Sequence, residues 1–295
     1  MYQFVRNDLP DDYGILALQD KLLEIMVDID AMCREHKIDY CLMAGSALGA
    51  RRHQGFIPWD DDIDIYMTPG EYQTFRDHFH CLGDKYYLQE WGRTDFCGKH
   101  MITLAKVRLN HSELQESTFV GWKMHQGIFV DIFILHHCPA EISKQKKQYL
   151  WAEAAVLKGL SVRGYKKKNF KDGMLLGVAK LLPRKILLPL SMNEVYRYQG
   201  QMTGVYSGFI DTRRFSRAVF PADIMFPTQY VPFEQVQLKV PADNDAYLKI
   251  QFGEDYMTPP AMKDRPIRKH AAYWSANTMD KNTGAEDYSD EEKLI

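Results

Sequence analysis

The sequence predicts an α+β protein: a mixed sheet flanked by helices, followed by a mainly helical C-terminal portion. Three observations carry that expectation. Apolar side chains recur at helical spacing from Ile15 to His36. Short strand-like runs, some alternating and one almost wholly apolar, fill much of residues 38–138. Beyond Pro139 the chain turns to longer helical stretches rich in lysine and arginine. A chain of 295 residues can hold one large domain or two modest ones. The change of character suggests a core at residues 1–138, a helical and C-terminal portion packed on it at 139–275, and an acidic tail at 276–295.

Taken in order, Ile15, Leu18, Leu22, Ile25, Met26, Ile29, Met32 and Cys33 line one face of a first helix, with acids and glutamine opposite. Ile38 to Ala44 reads as a short strand. It leads into Gly45-Ser46, after which Ala47 to Arg51 can begin a helix. A strand–turn–helix unit of this kind aims backbone N–H groups at an anion, so Gly45 and Ser46 are candidate phosphate contacts. Asp62 to Ile65 alternates acid and apolar, a strand with one apolar face that Pro69-Gly70 ends. A short helix is expected from Glu71 to Phe79, then strands at Tyr86–Trp91 and Met101–Leu109. The second of these carries Lys106 and Arg108 on one face, either solvated or turned toward phosphate. Gly127 to Leu135 is the strongest strand. Its lone acid, Asp131, must be paired or metal-bound if buried, unless it caps the strand end.

After Pro139, helices are expected at Ser143–Gly159, Lys171–Leu182 and Arg184–Gln201, the last kinked or broken by Pro189. Basic residues here, among them Lys144, Lys147, Lys166, Lys167, Lys168, Lys180 and Lys185, run beside apolar stripes. Either an ordinary helix with a solvated basic face or a surface lying on an anionic membrane accounts for that pattern. Phe220–Pro241 reads as loop with one short strand at Val236–Val240, and Asp243–Gln251 as a last helix stopped by Gly253. The tail from Lys281 is acidic and poor in apolar residues.

The most informative stretch is Gly45 to Tyr66, GSALGARRHQGFIPWDDDIDIY, which closes with four carboxylates inside five residues: Asp60, Asp61, Asp62 and Asp64. Acids this close repel one another unless something positive sits among them. Side chains at i and i+2 of a strand share a face, so Asp62 and Asp64 point together. Asp60 joins them if the strand starts that early, and Asp61 is expected at the rim. A solvated acidic turn is the plain alternative. It leaves the apolar alternation, the Gly-Ser turn and the Arg52-His53 pair unexplained. Rigid all-oxygen donors suit a hard cation, Mg²⁺ or in its place Mn²⁺. With Asp131 and the nearby basic side chains they describe metal-assisted transfer at a phosphorus centre.

Bulk properties narrow the field. A net charge of −2 argues against a nucleic-acid binder, although local patches remain open. Five cysteines, widely spaced and never in a CxxC, read as reduced core residues of a cytoplasmic protein. His136, His137 and Cys138 are adjacent, so strand geometry sends neighbours to opposite faces and argues against a zinc site. The N-terminal residues hold no apolar core of a secretory signal, and no run reaches the roughly 18–20 apolar residues that span a bilayer.

The central stretch resembles the LicD family, whose hallmark is GSALGA, then Arg52-His53, then GFIPWDDDIDI from Gly55 to Ile65. Fukutin-related proteins share its Pro-Trp-Asp portion. More broadly, Gly45-Ser46, Asp62-Ile-Asp64 and a later strand Asp are similar to the nucleotidyltransferase superfamily typified by DNA polymerase beta. Lys106-Val-Arg108, the strand from His125 through Asp131, and the segment from Tyr247 to Pro260 extend the likeness over residues 14–275. Ile134-Leu135-His136 departs from the family's Pro-Leu-Asp, which leaves substrate contacts after Asp131 open.

The resemblance implies a polymerase-beta-like nucleotidyltransferase core and a phosphotransferase. Such an enzyme moves a phospho-substituent, typically phosphocholine, from a CDP-linked donor to a glycan hydroxyl and releases CMP. It decorates lipopolysaccharide or teichoic acid, with an acceptor that can be lipid-linked, so a peripheral contact with the inner membrane face enters as a partner. On this reading Asp62, Asp64 and Asp131 are the catalytic and metal residues, Asp131 as ligand or as general base. Gly45, Ser46, Arg52, His53, Lys106 and Arg108 bind substrate. Two other readings compete: a nucleotidyltransferase moving NMP from an NTP to a small-molecule or sugar hydroxyl, and a non-catalytic scaffold, which the presence of all three acids disfavours.

Overall fold

A computed structural model describes residues 14–90, 105–116, 119, 122, 124–162, 170–211, 214–265 and 271–275. The expected features at Trp91, Met101–Leu104, Lys166–Lys168 and the tail from Lys281 lie outside the described residues. The fold is α+β, with a five-stranded mixed sheet at its centre.

The chain opens with α1 (Leu16–Glu35), whose apolar face is buried along its length. β1 (Cys41–Leu42) is shorter than the strand expected from Ile38 to Ala44, because α2 (Ala44–His53) already starts at Ala44. Gly45 and Ser46 therefore sit in the first turn of a helix instead of in a free loop. β2 (Asp64–Met67) is followed by α3 (Pro69–His78). Thr68 caps α3 by accepting the Glu71 N–H, and Pro69 stands at the first helical position where its missing N–H costs nothing.

β3 (Tyr86–Glu90), β4 (Ala105–Leu109) and β6 (Phe129–Ile134) complete the sheet, in the order β1-β2-β6-β4-β3. β2 and β6 run parallel; the other pairs are antiparallel. Register places Asp64 beside Asp131, Asp131 beside Lys106, and Lys106 beside Gln89, so one transverse row of the sheet carries charge. Alternate residues face the other way: Ile65, Val107, Val130 and Ile132 are buried in one cluster with Leu18, Leu22, Ile25 and Ile29 of α1. The two-residue period thus divides an apolar floor from a polar face.

β5 (Glu113–Glu116) pairs with β12 (Ala271–Ser275) at the far end of the chain. β7 (His136–His137) pairs with β8 (Val205–Ser207), which pairs with β9 (Val219–Pro221). Between them lie α4 (Ile142–Val162), α5 (Phe170–Leu181) and α6 (Arg184–Val195). α6 runs through Pro189 without a break and ends at Val195, short of the expected Gln201. Both Pro189 and Lys185 are exposed there, so water can serve the Lys185 carbonyl that proline leaves without a donor. α7 (Ala222–Met225), a hairpin of β10 (Gln229–Phe233) and β11 (Val236–Val240), and α8 (Asn244–Phe252) follow. The hairpin replaces the loop expected before Val236; its Pro232 lies in β10, whose partner in the sheet is β11 alone among the described residues. Met225, Phe233, Leu238, Tyr247 and Leu248 join the core beneath the sheet, and Tyr247 Oη accepts the Ala44 N–H at 3.0 Å. Among the described residues no helix is long and apolar enough to cross a membrane.

Two histidines, His136 buried and His125 half-buried, give the fold an acid limit. His125 stacks on Tyr87; its Nδ1 accepts the Gly127 N–H at 3.1 Å and its Nε2 faces Asn110 Oδ1 at 2.8 Å. Burial, then Arg108 and His111, pushes its pKa down to about 4; burial, then His137, takes His136 to about 3. Between those values and the ordinary 6.5 the unfolded chain binds more protons than the folded one, so stability falls as pH drops from 6.5 toward 4. His125→Gln should flatten that slope, abolishing up to roughly 3 kcal/mol of the loss summed over the interval. Urea melts of both proteins across this pH range test it, and parallel slopes would exclude His125 as the cause.

Candidate active site

The polar face of the sheet is built around charges that water barely reaches. Lys106 is 2% exposed, Arg108 0%, Asp131 8% and Glu116 8%. Lys106 Nζ lies 2.7 Å from Asp131 Oδ1 and 2.9 Å from Oδ2, with the better-directed hydrogen bond to Oδ2, and 3.3 Å from Glu116 Oε1. Arg108 donates to Gln89 Oε1 (2.7 Å), to the Gly127 carbonyl (2.8 Å) and to Glu116 Oε2 (3.2 Å). Both cations lie over the Phe129 ring, Lys106 at 3.4 Å from its centroid and Arg108 at 4.8 Å. Burial raises the Asp131 carboxyl above the usual carboxylate range, and Lys106 pulls it back.

Asp64 stands next to Asp131 on the neighbouring parallel strand. The chain reaches it under several restraints. The Asp64 N–H donates to Ser46 Oγ (2.9 Å), and the Asp64 carbonyl accepts from Met43. Gln19 Nε2 donates to the Asp60 carbonyl at 2.9 Å. Gly45 lies close beneath the acidic run: a Cβ there would lie 2.7 Å from Asp60 Oδ2, so a larger residue would have to displace that carboxylate. Asp60, Asp61 and Asp62 each present a carboxylate oxygen within 4.8 Å of the others.

Regular strand begins only at Asp64, so Asp60 to Ile63 do not follow strand alternation. Asp61, expected at the rim, is 1% exposed and accepts the Ala271 N–H at 2.6 Å, which ties the acidic run to β12. The rim placement is thereby corrected; the cause is an irregular backbone that turns the side chain inward. A donor set made wholly of carboxylates suits a hard divalent cation, and the group the structure gathers is Asp60, Asp61 and Asp62; Asp62 precedes the strand, so alternation does not place it with Asp64, which stands beside Asp131 in register.

Arg52 and His53 cluster with Trp59. Arg52 Nε donates to His53 Nε2 at 2.9 Å and its Nη1 to the Tyr256 carbonyl at 3.0 Å. Arg52 is half-buried, in electrostatic contact with Asp60 and repelled by Arg265, whose guanidinium lies 4.2 Å from the Trp59 centroid. The structure thus joins Asp64, Asp131 and Lys106 in one row and sets Gly45, Ser46 and Arg52 around the acidic run. Arg108 is different. Expected at the substrate, it has no exposed surface and holds Gln89, Glu116 and Gly127 from beneath, because its strand position points into the space closed by β5.

Sequence reasoning passed over Glu116, Arg265 and Asp211. Glu116 lies in a short polar strand with no pattern to mark it. Asp211, which accepts the Tyr66 hydroxyl, follows Gly208-Phe209-Ile210 much as Asp131 follows an apolar run, and that signal was available.

The family description LicD/FKTN/FKRP, nucleotidyltransferase domain, matches residues 37–152. The chain carries a LicD-family domain. It encloses β1, α2, the acidic run, the charged row and the start of α4. The likeness to individual proteins runs further: lipopolysaccharide cholinephosphotransferase LicD of Haemophilus influenzae is 27% identical over 273 residues, 85% of this chain and 94% of that protein. Uncharacterized proteins of Rickettsia prowazekii and Rickettsia typhi are each 46% identical over 44 residues, 15% of this chain and 16% and 14% of theirs. The LicD-family hallmark thus coincides with the stretch that carries the acidic run and its ties to Gln19, Ser46 and Ala271.

Among the described residues, Glu116 is the carboxylate ion-paired with both buried cations. Glu116→Ala should cost roughly 3–5 kcal/mol by leaving Lys106 and Arg108 with Asp131 alone. Denaturant unfolding measures it, and a loss below about 1 kcal/mol would mean the charges find other partners.

Proposed function

We propose that this protein moves a phospho-substituent, phosphocholine on our reading, from a CDP-linked donor to a glycan hydroxyl of a cell-surface polysaccharide, releasing CMP. The likeness to a lipopolysaccharide cholinephosphotransferase along most of both chains carries the reading. The juxtaposition of Asp64 with Asp131 supports it chemically.

Asp62 and Asp64 would hold Mg²⁺ or Mn²⁺, with Asp131 beside them; a bound cation offsets charge on the phosphate oxygens. Asp131 takes the proton of the acceptor hydroxyl, whose oxygen forms a bond to the donor's phosphocholine phosphorus. The P–O bond to CMP breaks and the electron pair leaves with CMP. Lys106 keeps Asp131 ionised and oriented, and Glu116 and Arg108 position Lys106. Ser46 and the Gly45 and Ser46 N–H groups receive donor phosphate. Arg52, steadied by His53 and joined by Arg265 over Trp59, adds positive charge there. We place the reaction in a reducing, cytoplasmic setting, in keeping with the free cysteines Cys33, Cys41, Cys81 and Cys138, and regard a lipid-linked glycan as an acceptor class.

CMP release from CDP-choline with a glycan acceptor and Mg²⁺ tests the reading. Asp64→Asn should lower it on the order of a thousandfold while the melting temperature holds. Pyrophosphate released from CTP, with no CMP from CDP-choline, would instead establish nucleotidyl transfer. Near-normal turnover by Asp64→Asn would remove that residue from the site.

A further inference from the structure

The corner where α5 meets α6 is built with its apolar side chains outward. Both helices pack on α4: Leu188 of α6 is buried against Ala155 of α4, and Ala179 of α5 is also buried. Lys158 of α4, itself buried, donates to the carbonyls of Ala179 (3.1 Å) and Lys180 (3.2 Å) and so fixes the end of α5. The opposite side is open. Met174 is 56% exposed, Val178 54%, Leu181 85%, Leu182 43%, Ile186 61% and Leu190 52%. Spacings of three and four residues put the α5 set on one face, and Ile186 and Leu190 share a face of α6. Scattered exposed leucines are ordinary, but five large apolar side chains on adjoining helical faces, with Leu182 in the turn between them, mark a contact surface.

Charge selects the partner. From Gly173 to Asn193 there are three cations, Lys180, Arg184 and Lys185, and no acid. Lys180 and Lys185 are exposed beside the apolar side chains. A second copy of this chain meeting the corner about a two-fold axis would set these lysines against themselves with no local acid to answer them. An anionic surface with an apolar interior satisfies both halves of the pattern. Each helix has 12 residues, too short to cross a bilayer but long enough to lie in its interface.

We propose that the α5–α6 corner docks the protein on an anionic lipid bilayer, with Leu181 and Ile186 entering the headgroup boundary and Lys180 and Lys185 meeting lipid phosphates. This is independent of the transfer reaction, since vesicle binding requires neither donor nor acceptor. Cosedimentation of the full chain with vesicles of phosphatidylcholine, with and without phosphatidylglycerol, tests it at low and high salt. The wild type should pellet with the anionic vesicles at low salt, release as salt rises, and ignore phosphatidylcholine alone. Each lysine lost should lower partition about fivefold, so Lys180→Glu with Lys185→Glu should reduce it by about 25-fold or more. Leu181→Ser with Ile186→Ser should release the protein as well, and both pairs, being exposed, should leave circular dichroism unchanged. Met174→Ser with Val178→Ser serves if either pair misfolds. A wild type that stays in the supernatant with anionic vesicles, or binding indifferent to these changes, overturns the proposal. So does a dimer, seen by light scattering, that the serine pair dissolves.

Discussion

The buried pairing of Lys106 with Asp131, completed by Glu116 and Arg108, is the constraint on which the site depends. Two cations and two carboxylates have left water together. Such a set is tolerable only when complete, because an unanswered buried charge costs several kcal/mol. Completeness fixes more than charge. Lys106 and Arg108 belong to β4, Asp131 to β6 and Glu116 to β5, and Arg108 also holds Gln89 of β3, so the quartet with Gln89 ties four strands together. Asp64 inherits its position from that register, one parallel strand further on.

The acidic run is restrained differently, by backbone partners. Asp61 accepts from β12, the Asp64 N–H reaches Ser46, and the Asp60 carbonyl is held by Gln19 of α1. These ties come from residues far apart in the chain, and each leaves the acids gathered instead of splayed by their repulsion. The C-terminal elements share in this. β12 meets Asp61, Tyr256 meets Arg52, and Tyr247 meets the start of α2, so residues beyond the LicD-family match complete what the match begins.

Much of this was legible in the sequence. The helical periodicity of α1 and the apolar run of β6 marked their elements to within a few residues, since each buries one face or both. The acids at Asp62, Asp64 and Asp131 stood out because carboxylates interrupt apolar strands at a cost that demands a reason. What could not be read was partnership. Nothing near Lys106 and Arg108 announces Glu116, and an i, i+2 basic pair looks the same whether it faces phosphate or buried acid. The strand at Ala271, which turns Asp61 inward, is 210 residues away. The β10–β11 hairpin was hidden by prolines that an outer strand tolerates.

The burial of Arg108 moves the question of phosphate charge elsewhere in the site. Lys106 is shared between two carboxylates, so the strand pair supplies little net positive potential to a ligand above the sheet. Arg52 and Arg265 remain. They lie over the same tryptophan and repel each other, with Asp60 as a partial offset. Like charges are held together where an anion can enter between or beside them, and a diphosphate is such an anion. On our reading the protein therefore separates two duties that the basic pair on β4 was expected to combine. Buried cations set the geometry of the acids, and the half-exposed arginines over the Trp59 ring face the donor.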